Sequence, residues 1–181
     1  MIDIEREVTG FEDEVAAIRA RARACVERLR ATEDENVQHL FAERLSGLGS
    51  VVVPDLYALV LDDPAASASL GYLAAWTAVR LGDRGRAAAR LCQEVTSGSP
   101  YALPAANALA RFGLVEGLAP MTEALEKVDP DDVARIFDWA MAIRDLGGEL
   151  PTEVRRDLEL RTTHWHARAV LTSFPEQGVE A

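Results

Sequence analysis

Apolar side chains recur along this chain at intervals of three and four residues, the spacing that places them on one face of an α-helix. The pattern is clearest over residues 104–131, where it predicts two short helices joined at Phe112–Gly113. Gly113 suits this junction because a left-handed C-cap favours a residue without a Cβ. Two short helices cannot bury both apolar stripes alone, so the pair needs neighbours. The stripes consist of Ala102, Ala105, Ala106, Leu109 and Phe112, and of Leu114, Leu118, Met121, Leu125 and Val128.

The N-terminal region predicts a longer amphipathic helix. Thr9 and Glu12 form a capping-box pattern, and a helix follows to about Arg30, with residues 1–8 as a loosely docked lead-in. The apolar spacing resembles that of a coiled coil but is too short to indicate one. We therefore predict that this helix caps the helices after it, and a dimer through its apolar face is the alternative. That face consists of Phe11, Val15, Ile18, Ala22, Cys25 and Leu29.

Caps, prolines and glycines mark the later helix boundaries. A second capping box at Thr32 and Glu35 opens a helix that stops at Gly49. An acid followed by proline favours a helix start, because the acid caps free N–H groups and proline suits the first turn. Asp63–Pro64 and Asp129–Pro130 provide two such starts. The remaining predicted elements are a helix over residues 84–95, one from Pro151 to about Ser173, and a flexible tail at 174–181.

Residues 51–62 allow two interpretations. Pro54 is compatible with the first turn of a helix, whereas the three consecutive valines at 51–53 favour a brief strand. No second strand pattern exists for it to pair with. We therefore predict a helix here.

Four predicted helix ends recur at a nearly constant interval. Leu48–Gly49, Leu81–Gly82, Phe112–Gly113 and Leu146–Gly147 are spaced 33, 31 and 34 residues apart, and apolar residues lie four and eight positions before each glycine. A period in this range predicts stacked two-helix units. We therefore predict one all-α domain over residues 1–181, with an N-terminal segment at 1–31 and helical repeats at 32–173.

Residues 104–131 resemble a HEAT-like repeat. The resemblance is carried by the sequence AANALARFG, the short turn after it, and a helix with Ala119–Pro120 near its start; residues 71–97 show it less completely. It implies a short right-handed α-solenoid of about four antiparallel helix pairs, in which the second helix of each pair lines a concave face. Most proteins of this kind are binding scaffolds, and a minority are enzymes or act on nucleic acids.

The composition narrows the range of partners. The net charge is −11 and Lys127 is the one lysine, so nucleic-acid phosphates would be repelled unless the arginines formed a single patch. The densest arginine group spreads around its predicted helix, which favours a solvated face, and an acidic surface suits basic proteins. That group consists of Arg19, Arg21, Arg23, Arg28 and Arg30.

No targeting or membrane signal is visible. No stretch approaches the ~20 apolar residues of a membrane span, and the N-terminus has no signal-peptide pattern, so we expect a cytoplasmic protein. Cys25 and Cys92 fall within helical patterns and are expected to be small buried residues rather than a disulfide.

The sequence contains no pattern that predicts catalysis. His164 and His166 are two apart on a predicted helix, so their rings point in different directions and no metal site is expected. Paired carboxylates such as Asp62–Asp63 and Asp131–Asp132 are explained as helix caps. Nucleophile, phosphate-loop and dinucleotide patterns are missing. We predict no catalytic residue, no metal and no cofactor.

A binding surface is what remains. We expect a charged groove on the second helices with Tyr57 as its anchor, because tyrosine and arginine are favoured at binding hot spots. The sequence thus favours a non-catalytic module that binds a protein or peptide, an acidic adaptor, regulator or immunity-type partner of a basic protein. The alternative is a HEAT-like enzyme or nucleic-acid-processing protein with an acidic residue in its groove. The candidate binding residues are Asp55, Tyr57, Arg86, Arg90, Glu94, Glu123 and Glu126.

Overall fold

The computed structural model of this chain describes residues 4–129, 131–161, 171–172 and 174. Over these residues all regular structure is helical, which confirms the all-α prediction. Two 3-10 turns, at Ser50–Val52 and Val115–Gly117, and a π-helical segment at Tyr57–Leu61 accompany the α-helices. The α-helices are α1 Ile4–Arg30, α2 Glu35–Ser46, α3 Val53–Leu56, α4 Ala68–Arg80, α5 Arg86–Thr96, α6 Ala102–Arg111, α7 Leu118–Glu126, α8 Val133–Asp145 and α9 Thr152–Arg161.

Packing divides the chain into two compact units, residues 1–90 and 91–181, with the boundary inside α5. In the first unit α1 packs on α2, on α3 and on the first 3-10 turn, and α2 packs on α4. Helix α4 also contacts the π-helical segment. The core of this unit is built from the apolar stripes of these elements, including Val26, Leu29, Leu45, Val52, Leu56, Val60, Leu73 and Ala78.

The second unit is centred on α8, which packs on α6, α7 and α9. Trp139 of α8 is the largest fully buried side chain among the described residues. Close packing extends to the turn after α8, where a Cβ at Gly148 would lie 2.4 Å from Leu118 Cδ2. The rest of the core includes Leu91, Val95, Ala105, Leu109, Leu114, Met121, Leu125, Ile136 and Ile143.

The four glycines predicted to end helices all have positive φ. Gly49 follows α2 at φ 84°, Gly82 follows α4 at 99°, Gly113 follows α6 at 64° and Gly147 follows α8 at 78°. Side chains with a Cβ rarely adopt this left-handed region, so glycine permits the chain to turn there without strain. The sequence therefore located these helix ends to within a few residues.

Helix α1 starts earlier in the structure than the Thr9–Glu12 capping box predicts. Helix α1 begins by Ile4, so Thr9 lies inside it and does not act as an N-cap. The reason is visible in the sequence, because the apolar spacing of Phe11 and Val15 continues backwards through Val8 and Ile4.

The second capping box is also replaced by a nearer cap. Asp34 caps α2, its Oδ1 accepting from the backbone N–H groups of Asn36 at 2.9 Å and Val37 at 3.4 Å. Thr32 lies two residues before Asp34, and its Oγ1 accepts from the Asp34 N–H at 3.3 Å rather than from an N–H of the helix. A carboxylate directly before the helix reaches two of its free donors, which Thr32 is too distant to do.

Both acid–proline starts are displaced. Asp63 Oδ1 accepts from the Ala65 N–H at 2.9 Å and forms a turn, and α4 begins five residues later with Ser67 as its cap. Asp132 caps α8 through the Arg135 N–H at 3.0 Å, so the Asp129–Pro130 start is wrong, and Pro130 itself lies outside the described residues.

Residues 51–62 are helical, as predicted, but irregular. A 3-10 turn leads into α3, where Pro54 occupies the first turn, and the π-helical segment follows. The predicted helix after Pro151 is described from Thr152 to Arg161. Its continuation through His164 and His166, and the tail from 175 onward, lie outside the described residues.

Candidate binding surface

Tyr57 lies where the chain changes from α3 into the π-helical segment Tyr57–Leu61. The segment is closed by the Asp62 N–H, which donates to the Tyr57 carbonyl at 3.0 Å. Single π-helical turns occur frequently at functional sites, since the extra residue changes which side chains face outward. Here the turn places Tyr57 and Asp62 at the two ends of one short surface segment.

The Tyr57 side chain is held between a carboxylate and a guanidinium. Its hydroxyl donates to Asp83 Oδ2 at 2.5 Å, and the Arg86 guanidinium lies 4.2 Å from its ring centroid. Burial, followed by the hydrogen bond to Asp83, raises the pKa of Tyr57 well above its usual range. The hydroxyl is therefore a neutral donor, and the ring is a fixed apolar surface.

Arg86 completes the arrangement. It is the first residue of α5, and its Nη2 lies 2.5 Å from Asp62 Oδ1. Both side chains are accessible, Arg86 being 67% and Asp62 50% exposed. We call the four residues Tyr57, Asp62, Asp83 and Arg86 the Tyr57 cluster. It brings together two predicted binding residues, Tyr57 and Arg86, that are 29 positions apart in the sequence.

Asp63 and Arg30 extend the polar surface beside the Tyr57 cluster. Arg30 Nη2 lies 3.0 Å from Asp63 Oδ2 and also donates to the Leu59 carbonyl. The Ala65 N–H, followed by Arg30, holds the pKa of Asp63 below its usual range, so this carboxylate is charged at neutral pH. Three carboxylates and two guanidiniums therefore make up this surface, which is net negative.

Asp55 does not belong to an accessible surface, and the prediction for it is wrong in that respect. The whole residue is 3% exposed, and its carboxylate accepts from Arg19 Nε at 2.7 Å, Arg19 Nη2 at 3.2 Å and Arg23 Nε at 3.1 Å. The hydrogen bond from Arg19 holds the pKa of Asp55 below its usual range, against the opposing effect of burial. Asp55 therefore binds α1 to α3 and is unavailable to a partner.

The other predicted residues lie apart from the Tyr57 cluster. Glu94 is 4% exposed and accepts from Ser99 Oγ at 3.0 Å, which closes the turn after α5, so its predicted accessibility is also wrong. Arg90 is half-buried with its guanidinium against Gly71. Glu123 and Glu126 are exposed on α7 in the second unit, where Glu123 pairs with Lys127 at 2.6 Å.

Two contributors were missed from the sequence. The sequence pattern explains Asp62 as a helix cap and places Asp83 just after a helix end, and neither position by itself indicates a binding role. Arg19 and Arg23 were interpreted as solvated, although their i, i+4 spacing puts both on one face of α1 and could have indicated a shared carboxylate partner.

The described residues include two cysteines and several His, Asp and Glu side chains. Within them, no group of three or more His, Cys, Asp or Glu side chains could hold a metal ion. Cys25 and Cys92 are free thiols, and burial raises the pKa of Cys92. In the described part of the chain no single helix is long and apolar enough to span a membrane, and the bent pair Glu35–Ser46 with Ser50–Leu61 meets that condition only jointly.

Comparison of this chain with known proteins finds no similar protein. No family model matches the chain, and neither a curated protein nor a solved structure matches it. The HEAT-like resemblance therefore stays a prediction that rests on the residues themselves.

Proposed function

We propose that this chain is a non-catalytic helical-repeat module that binds a basic segment of another protein at the Tyr57 cluster. The observation that carries the proposal is the stacking of Arg86 on Tyr57 at 4.2 Å beside an accessible carboxylate, Asp62. Tyrosine and arginine are enriched among the few residues that carry most of the binding energy at protein interfaces. A tyrosine held in place by a hydrogen bond loses little conformational entropy on binding.

The charges of the Tyr57 cluster favour a cationic ligand. The Arg86–Asp62 pair is exposed, and exposed pairs contribute ~1 kcal/mol or less. A partner's arginine or lysine can therefore share or take over the Asp62 carboxylate at little cost. The net charge of −11 would attract such a segment from a distance and speed its association.

The proposed architecture is a short right-handed HEAT-like α-solenoid of about four helix pairs. Two observations support it: the helix-ending glycines recur every 31 to 34 residues, and helices that end in this way stack on each other within each unit, α2 on α4 and α6 on α8. The two free cysteines support a reducing compartment, for which we propose the cytoplasm.

The proposal is tested by affinity capture with the full chain as bait, comparing wild type with Asp62→Lys. Glu43→Lys is the matched control, because Glu43 is an equally exposed carboxylate that pairs with Arg80 at 2.5 Å outside the Tyr57 cluster. We expect a basic protein to be retained by wild type and Glu43→Lys and lost from Asp62→Lys. Retention of the same proteins by all three baits would contradict the assignment of the site.

The alternative function, a nucleic-acid-processing protein, is tested by a direct binding measurement. Labelled duplex DNA at low salt, followed by fluorescence anisotropy, should show no binding to the wild-type chain, because the net charge opposes it. Saturable binding to the duplex would favour the nucleic-acid-processing alternative and contradict the binding-module proposal.

A further inference from the structure

The second unit contains a cavity to which α5, α6, α7 and α8 each contribute residues. Its volume is about 180 Å³, and its apolar walls include Val95, Ala102, Ala124 and Val128. A cavity of about 150 Å³ is large enough to hold benzene. The space therefore suits a ligand whose apolar body is about the size of a phenyl ring. We call it the Trp139 cavity, after the residue described next.

Trp139 lines this cavity and carries a hydrogen-bond donor that has no acceptor. The residue is 2% exposed, and its Nε1 has no hydrogen-bond partner among the described residues. Buried indole N–H groups usually find a partner, because an unpaired one costs the full desolvation of the donor. An acceptor oxygen inside the cavity would supply that partner.

The charges around the Trp139 cavity differ in balance from those of the whole chain. The chain has 30 acidic and 19 basic residues, whereas the described lining residues include two cations, Lys127 and Arg135, and one acid, Asp129. Asp129 Oδ1 accepts from the Asp131 N–H at 2.9 Å, which fixes it in the turn before α8. The local charge therefore favours an anionic group, although the molecule as a whole is acidic.

Arg135 is the better placed of the two cations. It precedes Trp139 by four residues on α8, so the two side chains share a helix face. Within the described part of the chain its guanidinium makes no ion pair, whereas Lys127 Nζ pairs with Glu123 Oε1 at 2.6 Å. A planar guanidinium is also suited to a carboxylate, to which it donates through a fork of N–H groups.

We propose that the Trp139 cavity binds a small organic acid. One carboxylate oxygen accepts from Trp139 Nε1, the other accepts from the Arg135 guanidinium, and the apolar body of the acid packs against the valine and alanine walls. An inorganic anion such as phosphate would meet the same cation but would leave these walls unused. The proposal is independent of the basic partner, because the Tyr57 cluster lies in the first unit and shares no residue with this cavity.

Benzoate is the probe, because it joins a carboxylate to a phenyl ring. Titrated into the isotope-labelled full chain, it should move the indole N–H signal of Trp139 downfield, with a dissociation constant of about 0.1–1 mM. Trp139→Phe identifies this signal by its loss. The indole signal of Trp76, which stacks with Arg80 in the first unit, is the internal control and should not move.

Substitutions measured by isothermal titration calorimetry test the two donors. Arg135→Gln should weaken benzoate binding about tenfold, and Trp139→Phe about fivefold. Arg111→Gln is the matched control for Arg135, because Arg111 is an exposed arginine of the same unit that is not among the lining residues. Since Arg135 is exposed, its variant tests the site even where Trp139→Phe disturbs the core.

Two further probes test the class of ligand. Benzamide matches benzoate in shape but is neutral, and inorganic phosphate is anionic but has no apolar body, so each should bind at least about tenfold more weakly. Three outcomes would overturn the proposal: no saturable shift of the Trp139 signal up to about 10 mM benzoate, benzamide or phosphate binding as tightly as benzoate, or equal affinities of Arg135→Gln and Arg111→Gln.

Discussion

Asp55 and Asp62 are seven residues apart in the first unit, and each pairs with arginine, yet they play opposite roles. The Asp55 side chain is 4% exposed and takes three hydrogen bonds from two arginines, whereas Asp62 is half-exposed and pairs with one. Removing one partner from a buried pair leaves donors without their acceptor, but an exposed pair exchanges readily with water. Burial therefore gives the Asp55 carboxylate a structural role, joining α1 to α3, whereas the Asp62 carboxylate stays accessible to a partner.

The largest expected effect comes from breaking the buried pair. Asp55→Asn keeps the shape but removes the charge that Arg19 and Arg23 share, and we expect the free energy of unfolding to fall by about 2 kcal/mol. Asp62→Asn should change it by less than about 0.5 kcal/mol. Urea denaturation followed by circular dichroism measures both. Equal losses for the two variants would mean that burial does not distinguish these pairs.

The pH dependence gives a second way to separate the two carboxylates. The pKa of Asp55 is lowered in the folded state, so its stabilisation is complete above the unfolded pKa of about 3.9 and is lost as the pH falls through the folded value. The stability difference between wild type and Asp55→Asn should be constant from about pH 8 to 5 and shrink below about pH 4. A difference that persists undiminished at pH 3 would contradict this.

A smaller effect is expected for the hydroxyl of Tyr57. Tyr57→Phe removes the donor to Asp83 and should cost about 1 kcal/mol of unfolding free energy. The ring remains beneath Arg86, so capture of a basic partner should persist in this variant and be lost in Tyr57→Ala. Loss of capture in Tyr57→Phe would assign recognition to the hydroxyl rather than to the ring.

The helix ends were predictable because their cause is local. Gly82, Gly113 and Gly147 adopt positive φ two residues after helices α4, α6 and α8, and glycine is the residue that tolerates this conformation. Helix starts were harder to place. Several capping side chains competed within a few positions, and Asp34, Ser67 and Asp132 acted where the sequence favoured neighbouring residues.

The candidate site was only partly predictable, because burial and pairing depend on distant segments. Tyr57 and Arg86 were identified by residue type and helix position, and the structure brings them together. Asp55 and Glu94 also lie off the apolar stripes, but the sequence does not reveal that Arg19 would cover one and Ser99 would bind the other. The Asp55 partners lie 32 and 36 residues earlier in the chain.

Gly71 has a consequence for how this sequence can evolve. It lies inside α4, where glycine costs about 1 kcal/mol relative to alanine, and a Cβ there would come within 2.9 Å of Arg90 Nη2. Alanine would displace the guanidinium without disrupting the helix, so the two positions constrain each other. Among relatives of this chain, we expect glycine at position 71 to accompany arginine at position 90, and larger residues at 71 to coincide with free variation at 90.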